Sequence, residues 1–197
     1  REMDSLISYA ERLMVATLRE IPAGGYRAKD YLDDDGRGQK KLVIQAQVQI
    51  RRARARVDFT GTHAQVAGCL NANYAITLSC VFYVFKTISR VSIPPNGGIM
   101  RPIQVIAPEG TLVNARFPAA VAGGNVETSQ RIVDVLFRAL SHALPERIPA
   151  ASSGSMNNMA MAAMILSGIK FSLITKPSAA GPGAGRRPQG PRESTLT

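Results

Sequence analysis

Leu42, Ile44, Ala46, Val48 and Ile50 alternate with Val43, Gln45, Gln47 and Gln49, and the alternation resumes after Arg51-Arg52, with Ala53, Ala55, Val57 and Phe59 set against Arg54, Arg56 and Asp58. A period of two sends successive side chains to opposite faces of a strand. These residues therefore predict two antiparallel strands turning near Arg51-Arg52, with one apolar face and one wet face of glutamine and arginine. An apolar face of that kind has to be covered. Ser5 to Glu20 reads as an amphipathic helix with Leu6, Tyr9, Ala10, Leu13, Met14 and Leu18 on one side, stopped by Pro22 and Gly24-Gly25. The expected fold class is α+β, an antiparallel hairpin or sheet with helices packed on it.

Tyr26 to Leu32 is expected to be extended, and Asp33-Asp34-Asp35-Gly36 to be a turn. That turn lacks the alternate oxygen ligands and the distal Glu of an EF-hand, so it is not a calcium loop. Asn71 or Asn73 can cap a helix running to about Ser89, in which Ala75, Ile76, Leu78, Ser79, Val81, Phe82 and Phe85 are apolar or small almost all round. Such a helix is expected to be buried on most sides. Pro94-Pro95-Asn96-Gly97-Gly98 predicts a rigid turn, Ile103 to Ile106 a short strand, and Pro108-Glu109-Gly110 another turn.

The stretch from Pro118 to Leu144 is the most suggestive of a site. Gly123 and Gly124 permit positive φ and close backbone approach, and Asn125 can cap a helix whose buried stripe is Ile132, Leu136, Ala139, Leu140 and Ala143. Arg131, Asp134, Arg138 and His142 fall off that stripe, and Pro145 ends it. A glycine pair feeding a helix start dense in Asn, Glu, Thr, Ser and Gln brings free amides and short polar groups to one place. The same residues also make an ordinary loop and an ordinary cap. Pro149 to Asn158 is a second polar loop of small residues, followed by an apolar segment with Met159, Met161, Met164 and Ile165.

The rest of the sequence excludes several classes. Ala75 to Ile88, the longest apolar run, is shorter than a membrane span and carries Lys86. With no signal peptide at its start, the chain is expected to be cytoplasmic. Cys69 and Cys80 are too few for a disulfide framework and are expected in the core; His63 and His142 complete no zinc spacing. The net charge of +10 is concentrated in Arg51, Arg52, Arg54 and Arg56 and in the tail residues Lys176, Arg186, Arg187 and Arg192. No aromatics interleave with these arginines, so basic surface is preferred to nucleic-acid binding.

Several blocks, in this order, resemble the hydantoinase B/oxoprolinase family. They are Tyr26-Arg-Ala-Lys-Asp-Tyr-Leu-Asp-Asp-Asp-Gly36, Asp58-Phe-Thr-Gly-Thr62, Leu70-Asn-Ala-Asn73, Pro95-Asn-Gly-Gly98 with Arg101-Pro-Ile, and Val105-Ile-Ala-Pro-Glu-Gly110. Pro118 to Asp134 and Pro149 to Asn158 complete the set, and the likeness runs from about Asp4 to Ser172. The resemblance implies a cytoplasmic, ATP-dependent hydrolase that opens a cyclic amide such as 5-oxoproline or N-methylhydantoin. It implies that ATP is handled by a companion A-type subunit or half with an ATPase fold, which agrees with the lack of a P-loop in this sequence. It further implies a hetero- or homo-oligomer.

On this resemblance the site residues are expected to be Glu127 as catalytic base, with Gly124, Asn125, Thr128, Ser129, Asn157 and Asn158 binding substrate. No metal ligand is assigned, because the family's metal-bearing segment lies upstream of these blocks; any divalent metal is expected outside this chain. The chain is expected to be an internal fragment, with residues 1–172 a partial family domain and 173–197 a disordered basic tail. From Ile174 the residues depart from the family's glycine-rich continuation, as a shift of reading frame just before Ile174 would produce. Sequencing the DNA tests this: the third frame is expected to encode Tyr-Glu-Thr-Ile-Gly-Gly-Gly. The alternatives are an inactive interaction fragment and a basic polyanion-binding module.

Overall fold

A computed structural model describes residues 2–148 and 150 with their side chains, and the backbone of 158–165 and 168–175. The polar loop through Asn157 and the tail beyond Thr175 lie outside the described residues. The elements run α1 (Glu2–Arg19), β1 (Gly24–Asp34), β2 (Lys40–Arg51), β3 (Arg54–Asp58), α2 (Tyr74–Thr87), β4 (Ile103–Ile106) and α3 (Thr128–Ser141). Contacts divide the chain into two units, Arg1–Met156 and Asn157–Thr197. In the second, β5 (Asn158–Ile165) and β6 (Gly168–Thr175) pair antiparallel. Among the described residues no helix is long and apolar enough to cross a membrane.

The first unit is built on a four-stranded sheet in the order β1-β2-β3-β4. β1 and β2 pair antiparallel from Gly24 opposite Ile50 to Asp34 opposite Lys40, and β3 returns along β2. β4 then lies parallel to β3, held at its ends where Ala55 donates to the Pro102 carbonyl and Phe59 to that of Ile106. The alternating residues do what their period dictates. Leu42, Ile44, Ala46, Val48, Ile50, Ala55 and Val57 are buried, while Gln49, Arg51, Arg54 and Arg56 are exposed. α3 covers β1 and β2 with Ile132, Val135, Leu136, Ala139 and Leu140, and α1 contributes Ala10, Met14 and Leu18 to the same core.

Three expectations are corrected. Leu6 and Tyr9, on the expected buried face of α1, are 49% and 46% exposed, so the buried side chains of that helix lie from Ala10 onward. α2 is buried on one side only. Thr77, Cys80, Val81, Val84 and Phe85 face inward, whereas Ala75, Ser79 and Tyr83 lie on a row about one turn apart that faces out. Finally, Cys69 is exposed and only Cys80 is buried.

The β2–β3 turn is strained. Arg51 and Arg54 pair across it, and the two central residues, Arg52 and Ala53, have φ of 50° and 57°. Two consecutive positive φ values define the type I′ turn that Asn-Gly adopts without steric cost. The double substitution Arg52→Asn, Ala53→Gly is therefore expected to stabilise the chain by about 1 kcal/mol. A raised urea midpoint at unchanged m-value would report it.

Candidate functional site

The loop ahead of α3 is clasped to the segment before α2. Asn71 is fully buried; its Oδ1 accepts from Val66 N at 2.8 Å, and its Nδ2 lies 2.9, 2.9 and 3.0 Å from the carbonyls of Val66, Gly68 and Ala120. Gly123 N donates to the Cys69 carbonyl at 2.8 Å, and Thr128 Oγ1 donates to that of Leu70. Gly124 packs so closely that a Cβ there would fall 2.1 Å from the Asn71 carbonyl oxygen. The capping role falls to Asn73, whose side chain accepts from Ile76 N at the head of α2.

This arrangement changes the expected site. Neither Gly123 nor Gly124 has positive φ; both serve close approach. Asn125 does not cap α3. Gly123–Asn125 coils into a 3-10 turn, because the Gly123 carbonyl accepts from both Val126 N and Glu127 N, and α3 starts only at Thr128. The amides of Gly123, Gly124, Val126 and Glu127, ahead of α3, donate to carbonyls of this chain. Gly124 and Thr128 are buried and structural. Glu127 precedes the helix without a side-chain capping bond.

What Asn125 and Ser129 border is a groove of about 960 Å³ between α2 and α3. Its apolar side is Ile76, Tyr83, Val133, Phe137 and Ile148, with the Tyr83 and Phe137 rings edge to face at a centroid distance of 6.4 Å. Its polar groups include Asn73, Ser79, Asn125, Ser129 and Gln130. Glu127 is absent from the lining. Of the expected site residues, then, the structure brings Asn125 and Ser129 together. Asn157 lies outside the described residues, and Asn158 opens β5, described in its backbone alone.

The groove is charge-balanced. Arg131 binds Asp30 across 101 positions of sequence at 2.9 Å, with Asp134 at 3.9 Å, while Arg138 reaches toward the Lys29 carbonyl. Cys80 also lines it; burial pushes this thiol up to about 12, which leaves it protonated and unreactive at neutral pH. Its Sγ lies 3.5 Å from the Ser129 carbonyl and ties the two helices together. The arrangement suits binding an uncharged amphiphile rather than performing acid–base chemistry by itself.

The described residues offer no metal-holding cluster, and the sequence has no P-loop. They contain no grouping of three or more His, Cys, Asp or Glu side chains placed to hold a metal. Of the amides that open α2, Ile76 N donates to Asn73 Oδ1 and Thr77 N to the Asn73 carbonyl.

The family model for hydantoinase B/oxoprolinase matches residues 1–196. Protein MJ0963 of Methanocaldococcus jannaschii is 44% identical over 153 residues, which is 78% of this chain and 26% of that protein. 5-Oxoprolinase 1 of Arabidopsis thaliana is 38% identical over 131 residues, covering 66% of this chain and 10% of its own length. Caprolactamase subunit beta of Pseudomonas jessenii is 34% identical over 143 residues, 72% of this chain and 24% of the subunit. In the crystal structure of the ATP-dependent caprolactamase from that organism, a chain superposes with a TM-score of 0.74 at 30% identity, over 85% of this chain and 29% of that one. This chain thus spans under a third of the length of these relatives.

Proposed function

The chain belongs to the hydantoinase B/oxoprolinase family, and from that premise we propose that it is part of the B-type component of an ATP-dependent hydrolase acting on a cyclic amide. In this reading the α2–α3 groove receives the ring. The observation that carries it is the pairing of an aromatic wall, Tyr83 and Phe137, with the amide and hydroxyl groups of Asn125 and Ser129 around one groove. A lactam or hydantoin ring has the matching two sides: apolar ring carbons and an amide edge that both donates and accepts. The Asn125 amide can answer both at once.

The groove binds and orients; the chemistry comes from elsewhere in the assembly. ATP is held by the companion A-type subunit or half, where phosphorylating the amide oxygen would turn a resonance-stabilised amide into a species open to hydrolysis. Any metal belongs to parts of the B component outside these residues. The chain is accordingly expected to show no turnover alone, which accommodates the interaction-fragment alternative. Glu127, which does not line the groove, is expected to be dispensable for binding the ring.

The test uses the full-length parent with its companion and ATP. Asn125→Ala and the exposed Tyr83→Ala are each expected to raise KM for the cyclic amide about tenfold, equivalent to about 1.4 kcal/mol, with far-UV circular dichroism unchanged. Glu127→Gln is expected to leave KM within about twofold of wild type on the same physical grounds. Unchanged KM in both groove variants would remove the reading. A shift in oligomer size in place of KM would make the groove a packing surface.

A further inference from the structure

Among the described residues of the first unit, the helices cover one face of the main sheet and none covers the other. On that face the central strand β2 presents Gln47 and Gln49, with Gln45 beside them donating to the Thr60 carbonyl, flanked by Arg27 and Lys29 on β1 and by Arg56 on β3. At one end stands the β2–β3 turn with Arg51, Arg52 and Arg54 exposed. Among the described residues only Arg56 of these cations has a carboxylate partner, Asp58 at 3.1 Å. The turn bears two separate costs. Arg51 lies directly opposite Arg54, where like charges repel, and Arg52 and Ala53 are both held at positive φ without being glycine. Nothing within the described residues offsets either cost.

We infer that this face docks a carboxylate-rich surface of another polypeptide of the assembly, with Arg51, Arg52 and Arg54 as its anchoring cations. An uncharged, hydrogen-bonding centre bordered by arginines has the anatomy of a protein interface, in which charge is depleted at the middle and arginine is enriched. The planar guanidinium matches a carboxylate bidentately, and the glutamine amides can pair with main-chain groups of a partner. Nucleic acid fits the face less well. A sheet that reads single strands places aromatic rings at its centre for bases to stack on, and here the centre is glutamine.

The inference is independent of the groove, and its test keeps the two apart. In the full-length parent co-purified with its companion, the variant Arg51→Gln, Arg52→Asn, Arg54→Gln removes three cations while easing the turn, so lost binding cannot be ascribed to unfolding. Sedimentation velocity at 150 mM salt is expected to show association weakened about tenfold, since exposed ion pairs contribute modestly but here act together. Added salt is expected to weaken the wild-type complex and to affect the variant much less. A control with equal charge loss at the far end of the sheet, Arg37→Gln, Lys40→Gln, Lys41→Gln, is expected to change association less than twofold, and KM for the ring should stay at the wild-type value in both. Wild-type association in the turn variant, or an equal loss in the control, overturns the inference. So does a loss confined to binding of a 20-nucleotide single-stranded DNA or of phosphatidylserine vesicles, which would make the face a phosphate-binding surface.

Discussion

Gly124→Ala is expected to cost the fold about 3 kcal/mol or more. The added Cβ would fall 2.1 Å from the Asn71 carbonyl oxygen, 2.7 Å from its carbon and 2.9 Å from the Ala72 Cα. All three are backbone atoms, so no rotamer change relieves the clash; the two segments have to separate. Separation breaks the bond from Gly123 N to the Cys69 carbonyl and the one from Thr128 Oγ1 to that of Leu70. Gly123→Ala is the internal comparison. Its Cβ would meet the Leu70 Cδ2 at 3.0 Å and the Cys69 carbonyl oxygen at 3.1 Å, contacts that shifts of a few tenths of an ångström relieve, so about 1 kcal/mol is expected. Urea unfolding of the two variants measures the difference, and equal midpoints would show that the close approach at Gly124 does not constrain the loop.

Asn71→Ala is expected to be comparably severe, at about 4 kcal/mol. The change removes the acceptor of the buried Val66 N and the donor shared by the Val66, Gly68 and Ala120 carbonyls. Each buried polar group stranded in this way costs about 1–3 kcal/mol, and alanine also leaves a void. Because Asn71 and Gly124 hold the same clasp, the double variant should lose less than the sum of the singles. Full additivity in a double-mutant cycle would mean that they act separately.

The parts of this structure legible in the sequence are those with short-range causes. The β2–β3 hairpin follows from a period of two, and α3 from its Ile132, Leu136, Ala139 and Leu140 stripe; both are resolved by a few neighbouring residues. Asn73 was one of two candidates to cap α2 because side-chain oxygens of that kind meet the amide three residues on. What local pattern could not reveal is pairing across distance. The parallel placement of β4 beside β3 and the Asp30–Arg131 pair have no periodic trace.

The groove shows the same limit. Asn125 and Ser129 drew attention as polar residues beside glycines, but Tyr83 and Phe137 belonged to neither helix pattern that was singled out. α2 is apolar nearly all round, and apolarity alone does not tell a face covered by this unit from one left open. The row of Ala75, Ser79 and Tyr83, two small residues ahead of an aromatic one helical turn apart, was the available hint. Gly124 and Thr128, expected to meet a ligand, are buried in the clasp. Small and hydroxyl-bearing residues at a helix start serve tight packing as readily as they serve a ligand.

The most direct measurement is a crystal structure of the full-length parent with its companion, ATP in non-hydrolysable form and a bound cyclic amide. The ring is predicted to lie between α2 and α3, its carbons against Tyr83 and Phe137 and its amide edge within hydrogen-bond distance of the Asn125 side chain. A ring bound elsewhere, with the space between the two helices filled by the protein's own chain, would contradict the assignment of ring binding to this groove.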